Sequence, residues 1–175
     1  MDSSLSRVPP VWPRAVSYTH LDVYKRQLHL IGEIGLLPAL FGEIHLPAAV
    51  YNELCHPAAP QAVRAWAFAK PDWLSIASAA GISDPATASL DDGERAAIAL
   101  AELIGADLVL MDERKGARIS LRKGFEVTGT LGILDLAARR GLIDLAESFD
   151  RLKATNFRYR PEMMEDLLTR YRSGR

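Results

Sequence analysis

Asp91-Asp-Gly-Glu-Arg-Ala-Ala-Ile-Ala-Leu-Ala-Glu-Leu-Ile-Gly-Ala-Asp-Leu-Val-Leu-Met-Asp112 decides the architecture of this 175-residue chain. Its first part predicts a helix over 91–104, because Ala97, Ile98, Ala101 and Ile104 recur at three-to-four spacing and Gly105 can take the left-handed conformation that ends a helix. Its second part, Asp107 to Met111, reads as a strand that is apolar without a break from Leu108 onward. A strand with one wet face alternates polar and apolar residues, whereas a strand apolar throughout is covered on both faces, as in the middle of a parallel sheet.

The same alternation extends in both directions. Glu43–Pro47, Trp73–Ala77 and Phe125–Thr128 read as short strands. Leu28–Phe41 reads as helical pieces broken at Gly35 and Pro38. Ala48–Cys55, Gln61–Ala69, Arg114–Lys123, Leu131–Arg140, Ile143–Lys153 and Pro161–Tyr171 read as helices, and Ala79–Ser89 as a loop. Strands alternating with helices imply one α/β domain with a central parallel sheet. The ligand site of such a sheet lies beyond the carboxyl ends of its strands.

Composition narrows the function classes. The chain is 49% hydrophobic and 25% charged, with net charge −1, so it is neither a disordered tail nor a strongly basic nucleic-acid coat. Charge is nevertheless uneven: Asp112 to Arg160 holds eleven basic against seven acidic residues. A single cysteine, Cys55, forms no internal disulfide, which points to a reducing cytoplasm. The most apolar stretch, Leu28 to Val50, is interrupted by Glu33, Pro38, Glu43 and Pro47, so no membrane span is expected.

Residues 1–27 lack the features of a signal peptide. The run Val16-Ser-Tyr-Thr-His-Leu-Asp-Val-Tyr-Lys-Arg-Gln27 resembles a translated library adaptor, and 1–27 is read as a non-native leader standing in place of a first strand. The rival reading is a genuine strand over Ala15–Leu21. The domain proper is then 28–171, with 172–175 as a tail.

Chemistry gathers at acids. Asp112 and Glu113 follow the apolar strand, Asp91, Asp92 and Glu94 open the best helix, and Glu53 lies near the end of an earlier one. Carboxylates brought together stay anionic only around a cation, and hard oxygen donors select Mg²⁺ or Mn²⁺. Each acid also has a structural use. Asp91 with Glu94 is a capping box, Asp112 can cap a helix starting at Arg114, Glu113 suits that helix dipole, and Glu53 can be a solvated helix residue. No phosphate-binding glycine loop, serine elbow or zinc constellation occurs.

From Leu28 to Tyr171 the chain resembles the PIN-domain superfamily, most closely its PIN-like branch related to VapC-type toxins. The likeness is carried by Leu36-Leu-Pro-Ala-Leu-Phe-Gly42 with Leu46-Pro47, Ala49-Val-Tyr-Asn-Glu-Leu54, Leu90-Asp-Asp-Gly-Glu-Arg-Ala-Ala-Ile-Ala99, Leu108-Val-Leu-Met-Asp-Glu-Arg114, Val127-Thr-Gly-Thr-Leu-Gly-Ile-Leu-Asp-Leu136 and Thr155-Asn-Phe-Arg-Tyr-Arg-Pro161. The resemblance implies a three-layer α/β/α fold with a parallel sheet of four to five strands, the first missing or replaced. It also implies a Mg²⁺- or Mn²⁺-dependent endoribonuclease, toxin-antitoxin related, with RNA as substrate, a cognate antitoxin and a homodimer as partners, and no membrane. Glu53, Glu94 and Asp112 fall on the family's metal-binding acids, with Asp91 and Glu113 as accessories. Arg114, Lys115 and Arg118, with Thr128 and Thr130 of the polar turn, become nucleic-acid contacts.

One departure stands out. The family's first strand ends in an aspartate, and counting back from Ile31 places it at position 21, which holds Leu21. Asp22 is one place off, and a one-residue slip in a strand turns a side chain to the other face. The expectation is a catalytically impaired chain. Rival readings are a PIN-like module that binds nucleic acid or a partner without cutting, and a receiver domain phosphorylated at Asp112.

Overall fold

The computed structural model describes residues 15–17, 24–79, 81 and 84–173. Five strands, β1 (Ala15–Ser17), β2 (Ile44–Pro47), β3 (Leu74–Ala77), β4 (Leu108–Leu110) and β5 (Glu126–Thr128), form one sheet in the order β3-β2-β1-β4-β5. Every pairing is parallel. The chain builds outward from β1 through β2 to β3, then crosses to β4 and β5 on the other side. The order therefore reverses between β1 and β4, and the crevice beyond their carboxyl ends is where such a sheet holds a ligand.

The nine helices of the described residues are α1 (Tyr24–Leu30), α2 (Leu36–Phe41), α3 (Ala48–Cys55), α4 (Gln61–Ala69), α5 (Asp92–Ile104), α6 (Arg114–Arg122), α7 (Thr130–Arg139), α8 (Leu145–Lys153) and α9 (Pro161–Ser173). On one side α5 packs on β1, β2 and β4 and against α3, which packs on α4. On the other side α1, α2, α8 and α9 pack around α7, and α2 and α7 reach β2 and β5. This is the three-layer α/β/α arrangement expected from the sequence, with five strands.

Packing follows the apolar pattern. All three residues of β4 are buried, as the unbroken run predicts. Ile44, Leu46, Leu54, Leu74, Ile98, Leu100 and Phe149 are among the fully buried side chains, each contributing about 1.5–3 kcal/mol by leaving water. Trp66 and Trp73 pack at the core edge, with ring centroids 6.0 Å apart.

Helix ends show how local sequence sets boundaries. α3 and α4 start after Pro47 and Pro60, and their ranges are those read from the sequence. Pro38 does not break α2. It lies in the first turn, where its missing N–H would have had no helical partner. The expected loop at 79–89 contains a 3₁₀ turn, Pro85–Thr87, capped by Asp84, whose side chain accepts from Ala86 N–H at 2.8 Å. Lys123, just after α6, lies 2.5 Å from both Asp84 and Glu102, tying this loop to α5 and α6.

β1 lies within the run read as a leader and covers the first three residues of the rival strand Ala15–Leu21; Leu21 and Asp22 lie outside the described residues. Gln27, the last residue of that leader, is 2% exposed, and its amide donates to Asn156 Oδ1 at 3.1 Å. At the other end α9 extends through Arg172 and Ser173.

Candidate active site

Asp112 stands two residues past the end of β4, beside the point where strand order reverses. Its carboxylate is held from α7: Thr130 N–H donates to Oδ1 at 3.1 Å and Thr130 Oγ1 donates to Oδ2 at 2.8 Å. Thr130 is the first residue of α7, and its N-cap, Gly129, has no side chain with which to cap. The N-terminal N–H groups of a helix need outside acceptors and favour negative charge, so Asp112 caps α7 across 18 positions of sequence. This corrects the expectation that Asp112 caps α6. The N-cap of α6 is Glu113, which is exposed and makes no side-chain cap bond.

Glu94 is 3% exposed at the start of α5. The capping box is complete, with Glu94 N–H donating to Asp91 Oδ1 at 2.8 Å and Asp91 N–H donating to Glu94 Oε2 at 3.1 Å. The other Glu94 oxygen faces the first turn of α6: a β-carbon on Gly116 would lie 2.8 Å from Oε1 and would collide with the Met111 sulfur. Asp112 is the neighbour of Met111 in sequence. Glu94 and Asp112 are thus brought to the same end of β4 from different elements. Glu53 is exposed in the last turn of α3, which packs against α5.

Hard carboxylate oxygens suit Mg²⁺ or Mn²⁺. Among the described residues, however, no three His, Cys, Asp or Glu side chains lie close enough together to hold a metal ion. These residues alone do not complete a metal centre, and Asp22 lies outside them.

The polar and basic residues separate into two groups. Arg114 lines a cavity of about 440 Å³ together with Met111, Asp112 and Gly129. Lys115 instead donates to the Ser89 carbonyl, and Arg118 is exposed further along α6. Thr130 is fully buried and positions Asp112. Thr128 ends β5, half-buried against α7, where its hydroxyl occupies the space a β-carbon at Gly132 would need. His56 and Cys55 have separate structural contacts: His56 Nδ1 accepts from Ala58 N–H, and Cys55 meets Tyr51, whose hydroxyl it pushes above the usual phenol range by hydrogen bonding.

Sequence reasoning missed the far wall of the Asp112 cavity. Phe157, Arg158, Tyr159 and Arg160, from the segment between α8 and α9, complete it with Met163. The alternation of aromatic and arginine residues was the available signal, yet nothing in the spacing connects it with Asp112, 45 or more positions earlier. Among the described residues, the guanidinium groups of Arg114, Arg158 and Arg160 take part in no ion pair or side-chain hydrogen bond.

A family model described as PIN domain matches residues 26–173. Comparison with curated proteins gave no match. No helix of the described residues is long and apolar enough to cross a membrane.

Proposed function

The chain belongs to the PIN-domain family, whose members are typically nucleases and generally use divalent metals, and from that membership we propose a metal-dependent endoribonuclease of PIN type, related to toxin-antitoxin systems and impaired by the residue at position 21. The observation that carries the reading is the placement of Asp112: an acid at the reversal point of a parallel sheet, fixed by two hydrogen bonds from Thr130 and facing a cavity with three arginines.

In this reading Glu53, Glu94 and Asp112 are the metal-binding acids, with Asp91 and Glu113 as accessories and Mg²⁺ or Mn²⁺ as the cofactor. When bound, the cation supplies charge neutralisation for a phosphodiester and a more acidic water. The chain's own residues supply positioning. Thr130 holds the Asp112 carboxylate, the capping box holds Glu94, and Arg114 attracts the phosphate. The partners that follow are an RNA substrate, a cognate antitoxin and a second copy of the chain, in the cytoplasm.

The test is cleavage of single-stranded RNA in Mg²⁺ or Mn²⁺ by the Leu21→Asp chain, beside the same chain with Glu94→Gln or Asp112→Asn. Cleavage by the first and its loss from the other two is expected; undiminished cutting by both overturns the site. The unaltered chain is expected to cut far more slowly. Efficient cutting that disappears on Asp22→Ala would show that Asp22 serves instead and that the chain is not impaired.

The second reading, a module that binds without cutting, is favoured by Leu21 standing where the family's first aspartate is expected. Mn²⁺ titration of the Leu21→Asp chain separates the two: saturable tight binding supports the enzyme, and none supports the module.

A further inference from the structure

We propose that the cavity beside Asp112 is a subsite for one nucleotide of a single-stranded nucleic acid, with the base on the rings of Phe157 and Tyr159 and the flanking phosphates on Arg114, Arg158 and Arg160. The inference deepens the nuclease reading of Asp112, since this is the cavity that Asp112 faces.

Three observations lead there. The volume, about 440 Å³, is that of a small-molecule site. Its lining carries three arginines that have no ion pair or side-chain hydrogen bond among the described residues, against one carboxylate already held by Thr130, so the wall is set for an anion. The arginines of the 157–160 segment are interleaved with two rings whose planes are within 11° of parallel, with centroids 6.3 Å apart. Both rings pack at the edge of the core, which fixes their orientation. Fixed aromatic faces alternating with guanidinium groups match a strand whose bases and phosphates alternate, and stacking tolerates any base. A duplex would keep its base faces hidden in the stack. An acidic peptide would use the arginines and leave the rings idle.

The experiment reads binding apart from cleavage: anisotropy of a fluorescein-labelled single-stranded RNA octamer with the full chain in EDTA. Tyr159 is half-buried, so Tyr159→Leu, which keeps apolar bulk and removes the ring, is preferred to truncation; it is expected to raise Kd at least about fivefold, and Tyr159→Phe to leave it unchanged. Arg158→Ala and Arg160→Ala, at exposed positions, are each expected to reduce the slope of log K against log salt by about 0.7. Unchanged Kd in Tyr159→Leu, or equal affinity for a glutamate-rich peptide of matching charge, overturns the subsite. If binding follows the expected pattern but the Leu21→Asp chain never cleaves, the nuclease reading fails and the subsite stands. If that chain cleaves with metal while binding ignores these variants, the subsite fails and the nuclease reading stands.

Discussion

Asp112 and Thr130 form a two-point clasp: the backbone N–H of Thr130 reaches one carboxylate oxygen at 3.1 Å and its hydroxyl reaches the other at 2.8 Å. The clasp joins the end of β4 to the start of α7 and leaves the carboxylate no rotation without breaking both bonds. An acid intended only for solubility would be left to rotate. This one is held in register with the strand-order reversal.

Thr130→Val removes the hydroxyl and keeps the shape and the backbone donor. The expected stability loss is about 1–3 kcal/mol, since the half-buried Asp112 carboxylate loses one of its donors. In the Leu21→Asp chain RNA cleavage is expected to fall about tenfold or more, because Asp112 gains freedom. Thr130→Ser is expected to restore both. Urea denaturation and initial cleavage rates check the pair.

Glu94 allows the cap and the ligand to be told apart. In Glu94→Gln the amide oxygen can still accept from Asp91 N–H, so the capping box survives and stability is expected to change by less than about 0.5 kcal/mol. Cleavage by the Leu21→Asp background is expected to be lost. By contrast Asp91→Ala, which removes the acceptor of Glu94 N–H, is expected to cost about 1 kcal/mol. A Glu94→Gln chain that melts normally and also cuts normally would reduce Glu94 to a cap.

Local signals carried most of the fold and part of the site. Ala48–Cys55 and Gln61–Ala69 were legible because proline precedes each and apolar spacing fills each. The strands come out one or two residues shorter than read, at Leu74–Ala77, Leu108–Leu110 and Glu126–Thr128, because pairing with neighbours sets a strand's length and pairing has no local signature. The central place of Ala15–Ser17 was hidden for the same reason: three residues show no period, and only partners far along the chain define them. At the site, the Asp91–Glu94 reciprocity lies three residues apart and was legible, whereas the Asp112–Thr130 clasp and the Phe157–Arg160 wall depend on α7 and α9 returning to the end of β4.

Gly116 tests how closely α6 must approach Glu94. In an exposed helix, Gly→Ala stabilises by about 1 kcal/mol. Gly116 is buried, and a β-carbon there meets the Met111 sulfur and stands 2.8 Å from Glu94 Oε1, so the sign reverses. Gly116→Ala is expected to lose about 1–3 kcal/mol by overpacking. Adding Met111→Ala is expected to cost less than the two single losses summed, because the residues share one space. Chemical denaturation of the four chains measures this coupling.

Lys123 sets a pH dependence of stability that is separate from catalysis. Its ammonium, with help from Ala86 N–H, holds the Asp84 carboxyl below the usual carboxylate range, and Asp84 and Glu102 together hold Lys123 above the usual lysine range. A carboxyl lowered in the folded state stabilises above its unfolded pKa and loses that contribution as pH falls through the lowered value. A raised amine stabilises below its unfolded pKa and loses that contribution as pH climbs through the raised value. Lys123→Met is therefore expected to lower the melting temperature by a constant margin between about pH 5 and pH 9, with the margin shrinking toward about pH 2 and again above about pH 10. The groups are partly exposed, so the margin is small and is expected to narrow further in about 1 M salt. A margin that persists unchanged at pH 2 would mean that Lys123 acts through the packing of its stem against α6 rather than through Asp84.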